Sequence, residues 1–243
     1  MKIKKTKIIS TIGPSCNDNK IIAKLIKKGM DVARINMAHT HLEKDFKNLV
    51  SKIRLESKKL NKNIAIMMDI AGPKIRVKFN NLNKEGLLIV KNKTYTMGYH
   101  KSNDIPISLN LKFDTKKNMN GLVKIDDGKL IFKVIAIKKN NLVIKSQNSG
   151  TIKSNKGINF PNIGLDVPSI TSKDKQDIKL AIKYKVDWLS LSFVRSEKDL
   201  NPIINILKKS SQNIPVIAKI EKPEAIQNLD KIIENFDGIL VAR

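Results

Sequence analysis

Two charged side chains stand two residues apart near the end of the sequence. Lys219 and Glu221 lie at the C-terminal end of the apolar run PVIAKI, which starts at Pro215 and predicts a short β-strand. Alternate residues of a strand point to the same side, so the ammonium and carboxylate groups would lie together at the strand end. An ammonium group can bind a phosphate, and a carboxylate can bind a divalent metal ion. The spacing therefore indicates phosphate chemistry.

Polar residues also follow the other predicted strands. One charge at a strand end is usually a solvent-facing residue, but recurrence at the same end of five strands favours a pocket for a phosphorylated anion. The positions besides Lys219 and Glu221 are Arg34, Asn36 and His39 after the second strand, Asp69 to Arg76 after the third, Ser192 and Arg195 after the fourth, and Arg243 after the sixth.

Six apolar runs predict the strands that would carry these side chains, at residues 7–12, 31–37, 64–70, 187–193, 215–220 and 238–242. Amphipathic stretches at 18–29, 42–60, 172–184, 197–209 and from 223 onward predict intervening helices. Nearly continuous apolar strands are typical of a parallel sheet covered on both sides. The succession therefore predicts a β/α protein with right-handed connections.

The helical period disappears between residues 77 and 167, where short apolar runs alternate with turns such as Asp127-Gly128. We therefore predict three segments: a first barrel part at 1–76, an inserted β lid domain at 77–167 and a second barrel part at 168–243. A (β/α)8 barrel requires eight strands, and six are recognised here. The predicted fold class is α/β, an incomplete (β/α)8 TIM barrel with a β-barrel lid domain inserted after the third strand.

The charge of the chain leaves two interpretations. Forty-seven Lys and Arg against 22 Asp and Glu give +25, which would attract nucleic acid. Alternatively, lysine is enriched together with Asn and Ile, as AT-rich codons would produce. The lysines scatter over predicted helix faces and turns without a base-stacking pattern. We therefore predict no specific nucleic acid partner.

Cysteine usage and hydropathy bear on the compartment. The single cysteine, Cys16, excludes an internal disulfide framework. No apolar run approaches the ~18 residues of a membrane span, and the basic N-terminus has too short an apolar stretch for a signal peptide. We predict a cytoplasmic protein without membrane association.

Eight motifs together resemble the successive signatures of pyruvate kinase: STIGPS, GMDVARINMAHT, DIAGPKIR, KIDDG, KGINFPN, LSFVRS, AKIEKPEAIQNLDKI and DGILVAR. They occur in the family's order and cover essentially the whole chain. The resemblance implies a (β/α)8 barrel with a β-rich lid and a separate C-terminal domain. It also implies glycolytic phosphoryl transfer from phosphoenolpyruvate to ADP, which yields pyruvate and ATP.

The resemblance assigns roles to individual residues. Arg34 and Lys219 match the catalytic cations that bind the transferring phosphate, and Ser192 matches a substrate-binding position. Glu221 matches one of two carboxylates that bind Mg²⁺, or Mn²⁺ in its place. Asp127, in KIDDG, would be either a lid residue of the family or simply a turn former. The nucleotide-binding matches are Asn36, His39, Arg76 and Lys156.

The monovalent cation site of the family is altered in this sequence. Asn36 and Asp69 remain as a vestigial K⁺ site, whereas Ala38 stands where Ser is usual and Ile70 where Thr is usual. Lys74 occupies the position of a usual Glu, which resembles the K⁺-independent branch of the family. Its ammonium would substitute for the ion, so K⁺ is not expected to be required.

The sequence stops at Arg243, where the family continues Gly-Asp-Leu-Gly. By the resemblance, the second Mg²⁺ ligand, the last two strands and the C-terminal domain with much of the homotetramer interface would be missing. The chain would then be a truncated pyruvate kinase, a product shortened by a frameshift, an inactive remnant or one half of a split enzyme that needs a second chain. A non-catalytic phosphate-binding module is a further alternative. We expect no turnover from this chain alone.

Overall fold

Apolar runs of the sequence form parallel strands in the computed structural model, which describes residues 5–40, 42–79, 85–113, 118–161, 167–210 and 212–242. The chain divides into unit 1, residues 1–73 and 169–243, and unit 2, residues 74–168. The strands of unit 1 are β1 (Ile9–Thr11), β2 (Val32–Asn36), β3 (Ala65–Ile70), β12 (Trp188–Leu191), β13 (Val216–Ile220) and β14 (Gly238–Val241).

These six strands form one sheet in the order β1-β2-β3-β12-β13-β14. Every neighbouring pair is parallel. The sheet agrees with the predicted parallel β/α arrangement, because each connection between neighbouring strands is long enough to cross over the sheet. The observed strands are shorter than the predicted runs by one to three residues, since their first and last apolar residues lie in the connections.

Within the residues that the structure describes, six helices accompany the sheet of unit 1. They are α1 (Asn19–Lys27), α2 (Glu43–Lys59), α3 (Ser172–Lys183), α4 (Asn201–Lys208), α5 (Pro223–Gln227) and α6 (Leu229–Asn235). The Asp18 side chain accepts a hydrogen bond from the Lys20 backbone N–H at 2.8 Å, which caps α1. Thr171 and Asp174 form a reciprocal capping box at the start of α3. The described residues include no helix long and apolar enough to cross a membrane.

The core of unit 1 lies between one face of the sheet and the helices. Ile35, Ile66 and Leu189 point from three strands into this core and are fully buried, as is Phe46 of α2. Burying a side chain of this size stabilises the fold by about 1.5–3 kcal/mol. The strand residues that alternate with them point to the opposite face, which carries the polar groups described below.

Two helical predictions were wrong in detail. The helix predicted from residue 223 is two helices, α5 and α6, separated at Asn228. The Asn228 side-chain amide donates to the carbonyls of Glu224 and Arg195, both at 3.0 Å, so it satisfies backbone groups that a break exposes. The predicted helix at 197–209 begins instead as a 3-10 turn, Glu197–Leu200, followed by α4.

Among its described residues, unit 2 contains eight short strands. They are β4 (Leu87–Ile89), β5 (Thr94–Gly98), β6 (Ile105–Pro106), β7 (Leu122–Ile125), β8 (Leu130–Lys138), β9 (Asn141–Ser146), β10 (Gly150–Ile152) and β11 (Ile158–Asn159). Six form a sheet in the order β11-β7-β8-β9-β5-β6, and β10 pairs with β4. Tyr95 and Phe132 meet edge to face in its core, with ring centroids 6.2 Å apart. The two-residue strands β6 and β11 were not predicted, because two residues carry no periodicity.

The sheet of unit 1 has two unpaired edges within the described residues. There, β1 pairs with β2 alone and β14 with β13 alone. Ile9 and Val241 lie on these outer strands and are exposed, Val241 at 79%. The backbone groups and apolar side chains of such edges are surfaces on which further strands could pair.

Candidate functional site

The strand register of unit 1 brings polar residues to one level of the sheet. Asp69 of β3 is paired with Asn36 of β2 on one side and with Ser190 of β12 on the other. Arg34 lies two residues before Asn36, so both project from the same face. Because the sheet is parallel, these side chains gather toward the C-terminal ends of the strands.

Asp69 and Arg34 form the first part of the site. Asp69 is 2% exposed, and its Oδ2 accepts hydrogen bonds from Arg34 Nε at 3.0 Å and from Arg34 Nη2. On its other side, Arg34 Nη1 donates to Thr11 Oγ1 at 2.8 Å. Three of the five guanidinium N–H groups are used by these bonds, which leaves two that could bind an anion.

Lys219 lies on the other side of Asp69. Its Nζ is 3.3 Å from Asp69 Oδ1, 3.2 Å from Glu221 Oε1 and 2.9 Å from Ser192 Oγ, which accepts a hydrogen bond. The lysine is 8% exposed, so this ammonium is largely removed from water. Two carboxyl groups compensate the cost of burying its charge.

Glu221 supplies the carboxyl group nearest to solvent in this network. Its Oε2 accepts a hydrogen bond from the Phe193 backbone N–H at 2.9 Å, while Oε1 faces Lys219. Each oxygen therefore keeps a lone pair for another ligand. In the described part of the chain, no group of three or more His, Cys, Asp or Glu is placed to hold a metal ion. Glu221 fits a Mg²⁺ ion that takes one protein carboxylate and fills its other positions with water and phosphate oxygens.

The turns beside this network adopt unusual backbone conformations. Phe193 has φ +59°, and Gly72 after β3 has φ +66°. A Cβ atom at Gly72 would lie 2.9 Å from the Ser192 carbonyl oxygen, so only glycine fits there without a shift of the backbone. The two turns thus approach each other closely beside Ser192.

Lys222 follows Glu221 and lies against the ring of Phe193, with Nζ 5.8 Å from the ring centroid. Burial lowers the pKa of Lys222. The carboxylates of Glu224 and Glu221 oppose this effect, whereas the positive charge of Arg195 adds to it.

Asn36 lies beside Asp69 in the strand register, and His39 follows it by three residues. The Asn36 side-chain Oδ1 accepts a hydrogen bond from the Ala38 backbone N–H at 3.0 Å, and His39 is exposed. Both line a cavity of about 410 Å³ with Gly13, Pro14 and Lys52. The remaining lining residues are Thr11, Ile12, Asn17, Thr40, Asp45, Asn48 and Leu49.

Unit 2 contains Lys74, Arg76 and Lys156. Arg76 Nη1 donates to the Asn155 carbonyl at 2.9 Å, and Lys156 Nζ lies 2.9 Å from Asp126 Oδ1. The hydrogen bond from Lys156 lowers the pKa of Asp126, and a second one from Lys129 acts in the same direction. Burial of Asp126 partly opposes the two lysines. Lys74 is exposed.

The KIDDG motif forms a tight turn in unit 2. Asp126 has φ +54° and Asp127 has φ +55°, values that favour Gly, Asn and Asp over other residues. The turn conformation therefore accounts for both residue types without a role in binding. A functional role for Asp127 stays a prediction.

The structure brings together only some of the residues singled out in the sequence. Arg34, Asp69, Ser192, Lys219 and Glu221 form one network, whereas Asn36 and His39 line a cavity of unit 1. Lys74, Arg76 and Lys156 belong to unit 2.

Arg195 was predicted for the same pocket but does not join the network. Arg195 binds Asp199, four residues later, with Nη2 and Oδ1 3.0 Å apart, so it stabilises the turn before α4. Arg243 lies outside the described residues.

Two members of the network, Thr11 and Ser190, were missed by the sequence reasoning. Ser190 is fully buried, and its Oγ donates to Asp69 Oδ1 at 3.1 Å. The signal for Ser190 was its spacing, since it precedes Ser192 by two residues and must share its face. The signal for Thr11 was its polar side chain at the end of the first strand.

Comparison with known proteins identifies the family. Residues 3–243 match the family described as pyruvate kinase, barrel domain. The chain is 35% identical over 247 residues to proteins named pyruvate kinase from Staphylococcus epidermidis strain RP62A and Staphylococcus aureus strain MRSA252. Each alignment covers 99% of this chain, which spans 42% of the length of those relatives. The sequence and the parallel β/α sheet agree with this match, and the chain belongs to the pyruvate kinase family.

Proposed function

We propose that this chain carries the phosphate-binding part of a pyruvate kinase, which transfers a phosphoryl group from phosphoenolpyruvate to ADP. The observation that carries the proposal is the pair of cations, Arg34 and Lys219, that contact one buried carboxyl group, Asp69. Two cations fixed on the same strand ends suit a phosphate that bears two negative charges. We further propose that the sheet of unit 1 is part of a (β/α)8 barrel and unit 2 its inserted lid.

In this proposal, Arg34 and Lys219 bind the transferring phosphoryl group and stabilise its charge during transfer. Positioning and electrostatic stabilisation dominate such reactions, because the transferring group itself needs little covalent assistance. The free N–H groups of Arg34 would bind phosphate oxygens while its other N–H groups stay fixed. Ser192 holds the ammonium of Lys219 at 2.9 Å and completes the substrate-binding set.

Glu221 would hold Mg²⁺ or Mn²⁺ through the lone pairs that Phe193 and Lys219 leave open. The bound metal supplies positive charge that is shared between the carboxylate and the substrate oxygens. Glu221 itself is oriented by the Phe193 N–H, so its carboxyl plane is fixed before any ligand arrives. The proposal needs only one carboxylate from this part of the chain.

Asn36, His39, Arg76 and Lys156 are proposed as the groups that bind the nucleotide phosphates. Asn36 and His39 are supported by the cavity that they line, which is roomy enough for phosphate oxygens and their water. Arg76 and Lys156 are supported by their family motifs alone.

We propose that K⁺ is not required. In the proposed vestigial site, hydrogen bonds from the chain's own residues already engage both Asp69 oxygens and the Asn36 Oδ1. The ammonium of Lys74 would supply the positive charge of the missing K⁺ ion. The enzyme would act in the cytoplasm, where glycolysis takes place. Homotetramer formation would depend on parts of the family outside the matched barrel domain.

A second candidate is that this chain is one half of a split enzyme, in which strands of the other half would pair with the edges β1 and β14. Closure of a parallel barrel would need further strands between these edges, from the same polypeptide or from another.

The test is complementation. The chain is co-expressed with the part of the Staphylococcus epidermidis pyruvate kinase that lies beyond the matched region, and phosphoenolpyruvate-dependent ATP formation is measured with Mg²⁺. We expect activity that Lys219→Met abolishes and that Lys208→Met, at an exposed lysine of α4, leaves intact. We expect none from the 243-residue chain alone. Equal activity of Lys219→Met and the unaltered chain would refute the proposed role of the site.

A further inference from the structure

Asp69 is the centre of the charged network in unit 1. Its Oδ2 accepts hydrogen bonds from two nitrogens of Arg34 and lies 3.4 Å from Lys219 Nζ. Its Oδ1 accepts from Ser190 Oγ at 3.1 Å and from Ser192 Oγ at 3.3 Å. Both oxygens are thus engaged by the chain's own donors, in a side chain that is 3% exposed.

Ser190, which lies beside Asp69 in the neighbouring strand, is a buried polar residue in an apolar run. Ser190 stands between Leu189 and Leu191 in β12, and none of its surface is exposed. A hydroxyl group in such a place costs free energy unless it is hydrogen-bonded. Its partner is Asp69, directly across the strand pairing. The hydroxyl therefore fixes the rotation of the Asp69 carboxyl group.

The carboxyl group in turn fixes two cations from different strands. Arg34 reaches it from β2 and Lys219 from β13, and the positive charges would repel each other without an anion between them. Their side chains remain 25% and 10% exposed, so a ligand can still reach them. The arrangement presets the separation of the two cations before an anion binds, which lowers the entropy cost of binding.

We propose that Asp69 is a positioning residue that holds Arg34 and Lys219 apart at a fixed distance for a phosphate dianion, and that Ser190 fixes the Asp69 carboxyl group. This inference rests on the proposed function, because it deepens the role of the same cations. It differs from a vestigial K⁺ site, in which Asp69 would serve as a ligand of an ion. In the positioning role, Asp69 instead contacts Arg34 and Lys219, the side chains proposed to bind the substrate phosphate.

Positioning and simple charge compensation predict opposite effects of Asp69→Asn on the binding of an anion. Asp69→Asn removes a negative charge beside the two cations, so electrostatics alone would tighten the binding of an anion. Loss of positioning would weaken it. The direction of the change in phosphate affinity therefore decides between the two roles.

The experiment uses the full 243-residue chain labelled with ¹⁵N. The sequence contains five arginines, so the Nε–H region of an NMR spectrum is simple, and Arg34→Lys assigns the Arg34 signal by its disappearance. The probe ligand is inorganic phosphate, titrated by NMR. We expect Asp69→Asn to move the Arg34 Nε–H signal, to speed its exchange with water and to weaken phosphate binding by about tenfold.

Ser190→Ala tests the same coupling without a change of charge and keeps the test decisive if Asp69→Asn does not fold. We expect it to move the same Arg34 signal and to weaken phosphate binding by about threefold. The matched control is Ser146→Ala in unit 2, because Ser146 is also fully buried. It should change neither readout.

The possible outcomes have different consequences. Tighter phosphate binding by Asp69→Asn, or an unmoved Arg34 signal in both variants, would overturn the positioning role while leaving the proposed function intact. An Arg34 signal that moves as expected, in a chain that does not bind phosphate, would support the coupling of Asp69 to Arg34. It would count instead against the phosphate site of the proposed function.

Discussion

The two units differ in how far their paired charged residues are buried, with Asp69 of unit 1 buried and Asp126 of unit 2 closer to solvent. In unit 1, the Asp69 side chain is 3% exposed and contacts Arg34 and Lys219 within a parallel sheet. In unit 2, Asp126 and Lys156 pair at 2.9 Å on a turn, with side chains 21% and 38% exposed. A pair near solvent contributes little to stability, whereas removal of one member of a buried set leaves a charge without compensation.

The difference shows what each kind of scaffold can fix. Strand register determines the position of Asp69 relative to Ser190 and Asn36, so the buried network is as rigid as the sheet. The position of Asp126 depends on a local turn with positive φ. Charges of unit 1 are therefore positioned by long-range pairing, and those of unit 2 by local backbone conformation.

The largest expected effect is the loss of stability that Asp69→Asn causes in unit 1. We expect this substitution to lower the free energy of unfolding of unit 1 by about 3–5 kcal/mol, since Arg34 and Lys219 lose the negative charge that compensates both of them. Urea denaturation followed by the fluorescence of Trp188, the only tryptophan of the sequence, reports this because Trp188 belongs to β12. The matched variant Asp126→Asn, which keeps a residue tolerant of positive φ, should leave unit 2 unchanged by hydrogen exchange. Equal effects would remove the distinction between the two sites.

Two glycines sharpen the comparison at the level of the backbone. Gly72 in unit 1 and Gly128 in unit 2 both have positive φ, but a Cβ atom would meet the Ser192 carbonyl oxygen at 2.9 Å in the first. At Gly128 its nearest neighbour would be the flexible Lys124 side chain at 3.8 Å. We expect Gly128→Ala to cost about 1 kcal/mol from φ alone and Gly72→Ala about 3 kcal/mol. Hydrogen exchange of each unit measures both, and a smaller cost at Gly72 would contradict the close approach.

The smallest expected effect is a change in the pKa of Asp126 in unit 2. Lys156 lowers the pKa of Asp126 below the ordinary value of 3.8, so Lys156→Met should raise it. Because the folded-state pKa is lowered, the stabilisation by this pair is present above pH 3.8 and is lost as the pH falls below it. Carboxyl ¹³C NMR titration of the chain and the variant tests this. An unchanged Asp126 titration in Lys156→Met would show that the contact does not form in solution.

The sequence predicted the parallel sheet well because its signal is strong. Buried parallel strands need long apolar runs, and their helices need a 3.6-residue period, so both are visible without a structure. A break in a helix that depends on a single side chain cannot be recognised from the sequence pattern in this way. The division between α5 and α6 depends on the bonds that Asn228 makes with Arg195 and Glu224.

The site was predictable to the extent that its residues end strands. Arg34, Lys219 and Glu221 were identified from that position and from their motifs, and they do belong to one network. The central role of Asp69 was not visible, because it depends on which residues lie across from it in the register. Ser190 was overlooked within a run that otherwise reads as core, although its two-residue spacing from Ser192 places it on the same face.

The order of the units along the chain has a consequence for folding during synthesis. Unit 2 is one continuous segment, residues 74–168, whereas unit 1 is interrupted by it. When β3 leaves the ribosome, its partner β12 has not yet been made, and at usual translation rates it follows on the order of ten seconds later. We therefore expect unit 2 to fold first, while β3 still lacks its partner β12. Protection of nascent chains from aggregation would matter most during that interval.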